Sequence, residues 1–322
     1  MIILGIESTA HTFGAAVVKN KKILSNVKKL YTTKSGGIIP YEVAEHHTKV
    51  AAQIIGQALK EAQIKPQKID LIAYSASPGL GHCLRIGAVA ARTLALKLNK
   101  KMVPVNHCIA HLEIGRVLSG FEDPLLVYVS GANTQIIGFE GGKYRVFGET
   151  LDVGVGNFLD SFAREIDLGF PGGPKIEKLA LKGNFVELPY VVKGMDLALG
   201  GISTKLKRLL QSHSKEDLCF SVQETVFAMI TEITERALSH TKKNQVVLGG
   251  GVACNKRLQQ MIKDMCDERG AKFFVPKNEF LVDNAAMIAL AGSLTKKTID
   301  VKDSFIDPYL RTDEVEIDYR SS

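Results

Sequence analysis

The chain contains no tryptophan and only five cysteines in 322 residues. Cys83, Cys108, Cys219, Cys254 and Cys266 are odd in number, and no two stand at C-x-x-C spacing. This excludes a disulfide framework and a thiolate zinc ribbon. Free thiols suit a reducing compartment, so a cytoplasmic location is expected. Long apolar runs are also lacking, so no membrane span is expected. The start, Met1-Ile2-Ile3-Leu4-Gly5, has no basic segment ahead of it and the apolar run is cut at Glu7. It does not read as a secretory signal. Neither a Walker A motif nor a G-x-G-x-x-G after a strand occurs, which removes support from P-loop and Rossmann folds.

What is present is the make-up of a folded protein: 45% hydrophobic and 23% charged residues. At about 150 residues per domain the length predicts two domains. Lys and Arg exceed Asp and Glu, giving a formal charge of +7. That surplus is compatible with a polyanion such as nucleic acid, and equally with an ordinary basic protein.

Apolar alternation predicts strands at Ile2 to Glu7, Phe13 to Val18 and Ile23 to Tyr31, with a polar turn at Asn20-Lys21-Lys22. A helix follows from about Tyr41 to Gln63, where Val43, Val50, Ile54, Ile55 and Leu59 recur near 3.6-residue spacing. Then come a strand at Ile69 to Ser75, a helix at Leu84 to Leu98, a strand at Met102 to Val105 and a helix from near Asn106. The same order restarts with strands at Leu125 to Ser130, Gln135 to Phe139 and Tyr144 to Phe147, and a helix at Asn157 to Ile166. It closes with a strand at Gln245 to Leu248, a helix at Asn255 to Glu268, a strand at Lys272 to Val275 and a helix at Asn284 to Leu294. The result is an α/β protein of two tandem β-β-β-α-β-α halves, 1–120 and 121–322, with an insertion at about 170–214.

This repeat resembles the actin, hexokinase and Hsp70 ATPase superfamily, whose halves surround a nucleotide cleft. Three glycine- or hydroxyl-rich turns are candidate phosphate loops: Ile6-Glu7-Ser8-Thr9, Val129-Ser130-Gly131-Ala132-Asn133 and Gly249-Gly250-Gly251-Val252. Glycine allows close backbone approach to an anion, and loop amides can point at its oxygens.

The sharpest chemical cluster is Asn106-His107-Cys108-Ile109-Ala110-His111. On a helix His107 and His111 share one face at i, i+4, the spacing that brings two imidazoles to one metal. Hydrolytic zinc sites of the H-E-x-x-H type need Glu after the first His, and Cys108 stands there. Spacing does not choose the further ligands; Asp283 and Tyr128 are candidates at the ends of expected strands or loops. Such N and O donors suit iron or zinc. His46-His47, adjacent in mid-helix, read as surface or packing residues. Asp160, Glu177 and Asn255 stand near glycine-rich turns, where capping is the ordinary role. Lys205, Lys207 and Arg208 read as a solvated helix face.

These residues belong to a longer series of motifs. They are Gly5 to Thr12 (GIESTAHT), Pro40 to His47 (PYEVAEHH), Pro78-Gly79-Leu80-Gly81, Val105 to His111 (VNHCIAH) and Tyr128 to Gln135 (YVSGANTQ). Phe170 to Glu177 (FPGGPKIE), Lys193-Gly194-Met195-Asp196, Gly249 to Asn255 (GGGVACN) and Val282 to Met287 (VDNAAM) complete the series. Together they resemble the universal tRNA threonylcarbamoyl transferase family in its archaeal and eukaryotic branch, the catalytic subunit of the KEOPS complex. The resemblance runs from residue 1 to about Glu316.

It implies transfer of a threonylcarbamoyl group from threonylcarbamoyl-adenylate to the adenosine 3′ of the anticodon, in tRNAs reading codons that begin with A. It also implies one divalent metal, Fe2+ or Zn2+, on His107, His111, Tyr128 and Asp283. The adenylate, or ATP, would contact Tyr128, Val129, Ser130, Gly131, Ala132, Asp160, Gly173, Glu177 and Asn255. Implied partners are tRNA, a small atypical kinase/ATPase, a dimerising subunit and a regulatory subunit, with no membrane. Ala132 and Ala285 depart from the family pattern, which commonly has glycine at both places. Alternatives from other classes are a small-molecule kinase or ATPase of the same fold and a DNA-binding or scaffold subunit. A glycoprotein endopeptidase, an older description of this family, lacks the glutamate base.

Overall fold

Six residues, Ile2–Glu7, form β1, the middle strand of a five-stranded sheet. The computed structural model describes residues 1–32 and 39–320; the last two positions of the expected half 121–322 therefore lie outside the described residues. β1 pairs antiparallel with β2 (Thr12–Lys19), and β2 with β3 (Lys22–Leu30). Asn20 and Lys21 both have positive φ in the turn between them, 50° and 64°, as the tight turn of a twisted hairpin requires. On its other edge β1 pairs parallel with β4 (Leu71–Ser77), and β4 with β5 (Lys101–Asn106). Helices α1 (Pro40–Glu61) and α2 (Gly81–Leu98) pack on this sheet, and α3 (His107–Ser119) follows β5 directly.

β6 (Leu125–Val129), β7 (Thr134–Glu140) and β8 (Lys143–Glu149) open the second sheet. α4 (Val155–Glu165), α5 (Gly173–Ala180), the two-residue strands β9 (Val192–Lys193) and β10 (Asp196–Leu197), and α6 (Gly200–Leu209) come next. Then follow α7 (Lys215–Thr241), β11 (Gln245–Gly249), α8 (Lys256–Arg269), β12 (Lys272–Phe274), α9 (Asn278–Leu281) and α10 (Ala285–Leu294). The first sheet runs β3-β2-β1-β4-β5 and the second β12-β11-β6-β7-β8, the same order written in reverse. The tandem repeat expected from sequence is thus a repeat of sheet topology.

Two compact units emerge. The first contains Met1–Ile114, Glu140–Tyr144 and Val282–Ser322; the second contains Gly115–Phe139 and Arg145–Leu281. The segment from Val282 onward, which the sequence places in the half 121–322, is part of the first unit. The reason is steric: α10 presents small residues to glycines of β1 and β2. A Cβ on Gly5 would stand 2.5 Å from the Ala285 carbonyl oxygen, and one on Gly14 3.3 Å from the Ala285 Cβ. Alternation along β1 explains the arrangement. Leu4 and Ile6 join a core with Ile54, Ile55, Ala88 and Ala91 of α1 and α2, while Gly5, on the opposite face, meets α10.

The second unit is built around α7, which the sequence reading missed. Buried residues cover most of this helix's circumference and leave only a narrow polar stripe at Glu224, Glu232, Glu235 and Arg236. Val222, Val226, Phe227, Met229, Ile230 and Ile233 are all buried. Its start is marked by Ser214, whose hydroxyl accepts from the Asp217 N–H at 3.0 Å. The expected insertion, 170–214, holds α5, α6 and the β9–β10 hairpin.

Candidate metal centre and glycine loops

In the first unit, two chain segments deliver the three donors. α3 begins at His107, and the Asn106 side chain accepts from the Ile109 N–H at 3.1 Å, capping its first turn. One helical turn separates His107 from His111, and their ring centroids lie 4.7 Å apart, edge to face. Asp283 immediately precedes Asn284, whose side chain caps α10 by accepting from the Met287 N–H at 3.0 Å. Nε2 of His107 lies 3.4 Å and Nε2 of His111 3.5 Å from the same Asp283 oxygen, Oδ1. One donor atom from each of these residues falls within 4.8 Å of the other two. Two imidazoles and a carboxylate converging from buried or partly buried positions form a set that can hold a metal ion. Its N and O donors match those preferred by iron and zinc.

A second carboxylate lies behind the set. Oε2 of Glu7, at the end of β1, stands 3.0 Å from Nδ1 of His107. Burial by itself pushes the His107 imidazole down, but the carboxylates of Glu7 and Asp283 outweigh it and hold His107 well above its ordinary value. Burial acts upward on Asp283, yet hydrogen bonds from His107 and His111 hold it well below the usual carboxylate range. His111 is lowered, by burial and by the neighbouring His107 cation, against the pull of Asp283.

The candidate phosphate loop at Ile6 to Thr9 has another role. The Ser8 N–H donates to Ser75 Oγ at 3.0 Å and the Thr9 N–H to Glu7 Oε1 at 2.7 Å. These amides are engaged within the first unit, so the segment serves His107 rather than presenting an anion cradle. Glu7 and Thr9, which the sequence put in a candidate phosphate loop, instead stand against Nδ1 of His107, a placement sequence alone did not reveal. The signal for Glu7 was a carboxylate ending an otherwise apolar strand.

His47 is a packing residue. Its Nε2 lies 2.9 Å from the Ala10 carbonyl oxygen and its ring meets Phe13 edge to face. Burial lowers its pKa to about 4. Lys207 pairs with Glu165 at 3.4 Å on the exposed side of α6.

In the second unit, Tyr128 and Val129 end the buried strand β6. The turn that follows is closed by the Ser130 N–H donating to the Asn133 carbonyl at 2.8 Å. Two further segments cradle it. The Gly156 N–H donates to the Ser130 carbonyl at 3.0 Å and the Asn157 N–H to that of Gly131 at 2.9 Å. A Cβ on Gly250 would stand 2.3 Å from the Val129 carbonyl oxygen, and φ there is 89°. Only glycine fits at 250. Position 132 has no positive φ and is exposed, so the alanine there is accommodated without strain.

Asp160, Gly173, Glu177 and Asn255 gather where α4, α5 and α8 meet. Asp160 Oδ1 accepts from the Gly172 N–H at 2.7 Å, and Glu177 Oε1 from the Lys256 N–H at 2.7 Å. Asn255 caps α8 through the Arg257 and Leu258 N–H groups and donates to Gln223 Oε1 at 3.0 Å. Space around Gly173 is open. Gln223, on the unrecognised α7, is a further member of this group.

No helix among the described residues is long and apolar enough to cross a membrane. Residues 22–290 match the family model described as TsaD, tRNA N6-adenosine threonylcarbamoyltransferase. A relative with that name from Thermococcus kodakarensis is 52% identical over 98% of this chain and 99% of its own length. A probable bifunctional tRNA threonylcarbamoyladenosine biosynthesis protein from Methanocorpusculum labreanum is also 52% identical, over 99% of this chain and 61% of its own. Among solved structures, HypF of T. kodakarensis covers 90% of this chain and 47% of its own with a TM-score of 0.65 at 14% identity, a likeness of fold. The fold is the actin-like ATPase fold expected from the repeated topology. With its two-sheet architecture and a 52% identical match to that transferase over 98% of its own length, the chain belongs to the tRNA N6-adenosine threonylcarbamoyltransferase family.

Proposed function

We propose that this transferase moves the threonylcarbamoyl group of threonylcarbamoyl-adenylate onto the exocyclic amine of the adenosine 3′ of the anticodon, in tRNAs reading A-starting codons. The observation that carries the reading is the convergence of His107, His111 and Asp283 in a chain of this family. These three residues would hold one divalent metal, Fe2+ or Zn2+. The family resemblance adds Tyr128, at the end of β6, to the donor set. When bound, the metal supplies Lewis-acid polarisation of a carbonyl or a seat for the threonyl carboxylate.

The second unit's residues would bind the adenylate. The exposed tip Gly131-Ala132 supplies backbone amides for its phosphate. Asp160, Gly173, Glu177 and Asn255 contact the nucleoside, with Val129 and Ser130 setting the start of the loop. An exocyclic adenine amine is a weak nucleophile, so the protein contributes mainly by orienting the two substrates. Working partners are tRNA and KEOPS-type subunits: a small atypical kinase/ATPase, a dimerising subunit and a regulatory subunit. The setting is the cytoplasm, consistent with five cysteines that form no disulfide.

The test is to incubate unmodified tRNA, threonylcarbamoyl-adenylate, metal, this chain and its partner subunits, then digest the tRNA and analyse its nucleosides by mass spectrometry. Threonylcarbamoyl-adenosine that requires this chain, and is lost in His107→Ala/His111→Ala, is the expected result. Absence of product with partners bound and metal present overturns the reading in favour of a small-molecule kinase or a scaffold subunit.

A further inference from the structure

The two ring nitrogens of His107 face different groups. Nε2 is directed to Asp283 Oδ1, and Nδ1 to Glu7 Oε2 at 3.0 Å. Both oxygens of Glu7 are engaged. Oε1 accepts from the Thr9 N–H at 2.7 Å and from the Thr9 hydroxyl at 2.5 Å. The same hydroxyl oxygen lies 3.2 Å from His107 Nδ1. Glu7, Thr9 and His107 are all buried, so water does not compete for these bonds.

Thr9 is itself fixed. Its carbonyl accepts from the Leu80 N–H at 2.8 Å, and a Cβ on Gly79 would stand 2.7 Å from that carbonyl oxygen. The Pro78-Gly79-Leu80-Gly81 motif, which the reaction leaves without a role, thus braces Thr9 from behind.

We propose that Glu7, held by Thr9 and the Gly79-Leu80 brace, is a positioning residue that keeps the His107 proton on Nδ1 and presents Nε2 as the metal ligand. A carboxylate on the remote nitrogen fixes the tautomer and ring angle and makes the imidazole a stronger donor. The inference deepens the metal assignment above and rests on it. Neither Glu7 nor Thr9 is a ligand in this arrangement.

The experiment titrates the purified full chain with Co2+, and separately with Zn2+, following the visible Co2+ spectrum. Wild type is expected to bind. Glu7→Gln keeps the size but puts an amide where two acceptors are needed, and should weaken binding by about 10- to 100-fold with an altered Co2+ spectrum. Thr9→Val should weaken it by about three- to tenfold, while Thr9→Ser, which keeps the hydroxyl, restores it. Gly79→Ala should follow Thr9→Val. If Glu7→Gln does not fold by circular dichroism, the Thr9→Val and Thr9→Ser pair decides. Wild-type affinity and spectrum in Glu7→Gln and Thr9→Val overturn the positioning role alone. A wild-type chain that binds neither ion overturns the metal assignment, and this inference with it.

Discussion

A Cβ on Gly5 would lie 2.8 Å from the Cβ of Ala289, so strand β1 and helix α10 touch with no room for a methyl group. Glu7 lies two residues beyond Gly5, and Asp283 lies just ahead of α10. The contact therefore sets the distance between the two carboxylates that flank His107. Gly5→Ala must push α10 away, because two of the atoms it meets are backbone. The expected cost is about 1–3 kcal/mol of stability. Zn2+ affinity should fall as well. Urea denaturation and metal titration on the same preparation check both; wild-type values for each would contradict the coupling.

His47 predicts a pH effect unrelated to the metal donors. Its folded pKa is lowered to about 4 by burial, while an unfolded histidine titrates near its ordinary value. Between those values the unfolded chain binds a proton that the folded chain excludes. The stability contribution is thus complete above about pH 6.5 and declines as pH falls toward 4, by about 3 kcal/mol in total. His47→Gln retains a donor for the Ala10 carbonyl and removes the titration. Urea midpoints at pH 7 and pH 5 should fall more steeply in wild type than in the variant.

The thiols should react unequally. Burial pushes Cys83 up to about 11 and Cys219 and Cys266 up to about 12. Cys108 is also buried and raised, whereas Cys254 is partly exposed. Brief iodoacetamide treatment of the native protein at pH 8 should label Cys254 alone, and treatment in urea all five. Peptide mass mapping reads the sites; rapid labelling of Cys219 or Cys266 in the native protein would contradict their burial.

Within the first unit, the Tyr144 hydroxyl donates to the buried Glu113 carboxylate and accepts from Arg320 at 3.0 Å. Tyr144→Phe removes a donor from a carboxylate shielded from water. A loss of about 1–3 kcal/mol is expected in urea unfolding, with metal affinity unchanged.

The legible parts of the chain were those with local signatures. The β2–β3 hairpin announced itself through alternation and the Asn20-Lys21 turn, and the histidine pair through its four-residue spacing. Asp283 was only a candidate as a carboxylate at the end of an expected strand or loop, because its pairing with His107 depends on how α10 returns to β1. α7 was hidden by its deep burial: apolar residues cover most of its circumference, and the polar stripe of Glu224, Glu232, Glu235 and Arg236 is too narrow to give a clear period. Glu7 was legible as a residue but not as a role. A Glu-Ser-Thr turn after an apolar strand looks like an anion loop until the partners of its amides are known.

The return of Val282–Ser322 to the first unit has a consequence for biosynthesis. A nascent chain that has emerged through Leu281 carries both imidazoles and lacks the aspartate that joins them. Ions met during translation encounter an incomplete donor set, and α10 is not yet present to pack on β1. The donor set is therefore completed only once Asp283 has left the ribosome, after the second unit's segments Gly115–Phe139 and Arg145–Leu281 have been made.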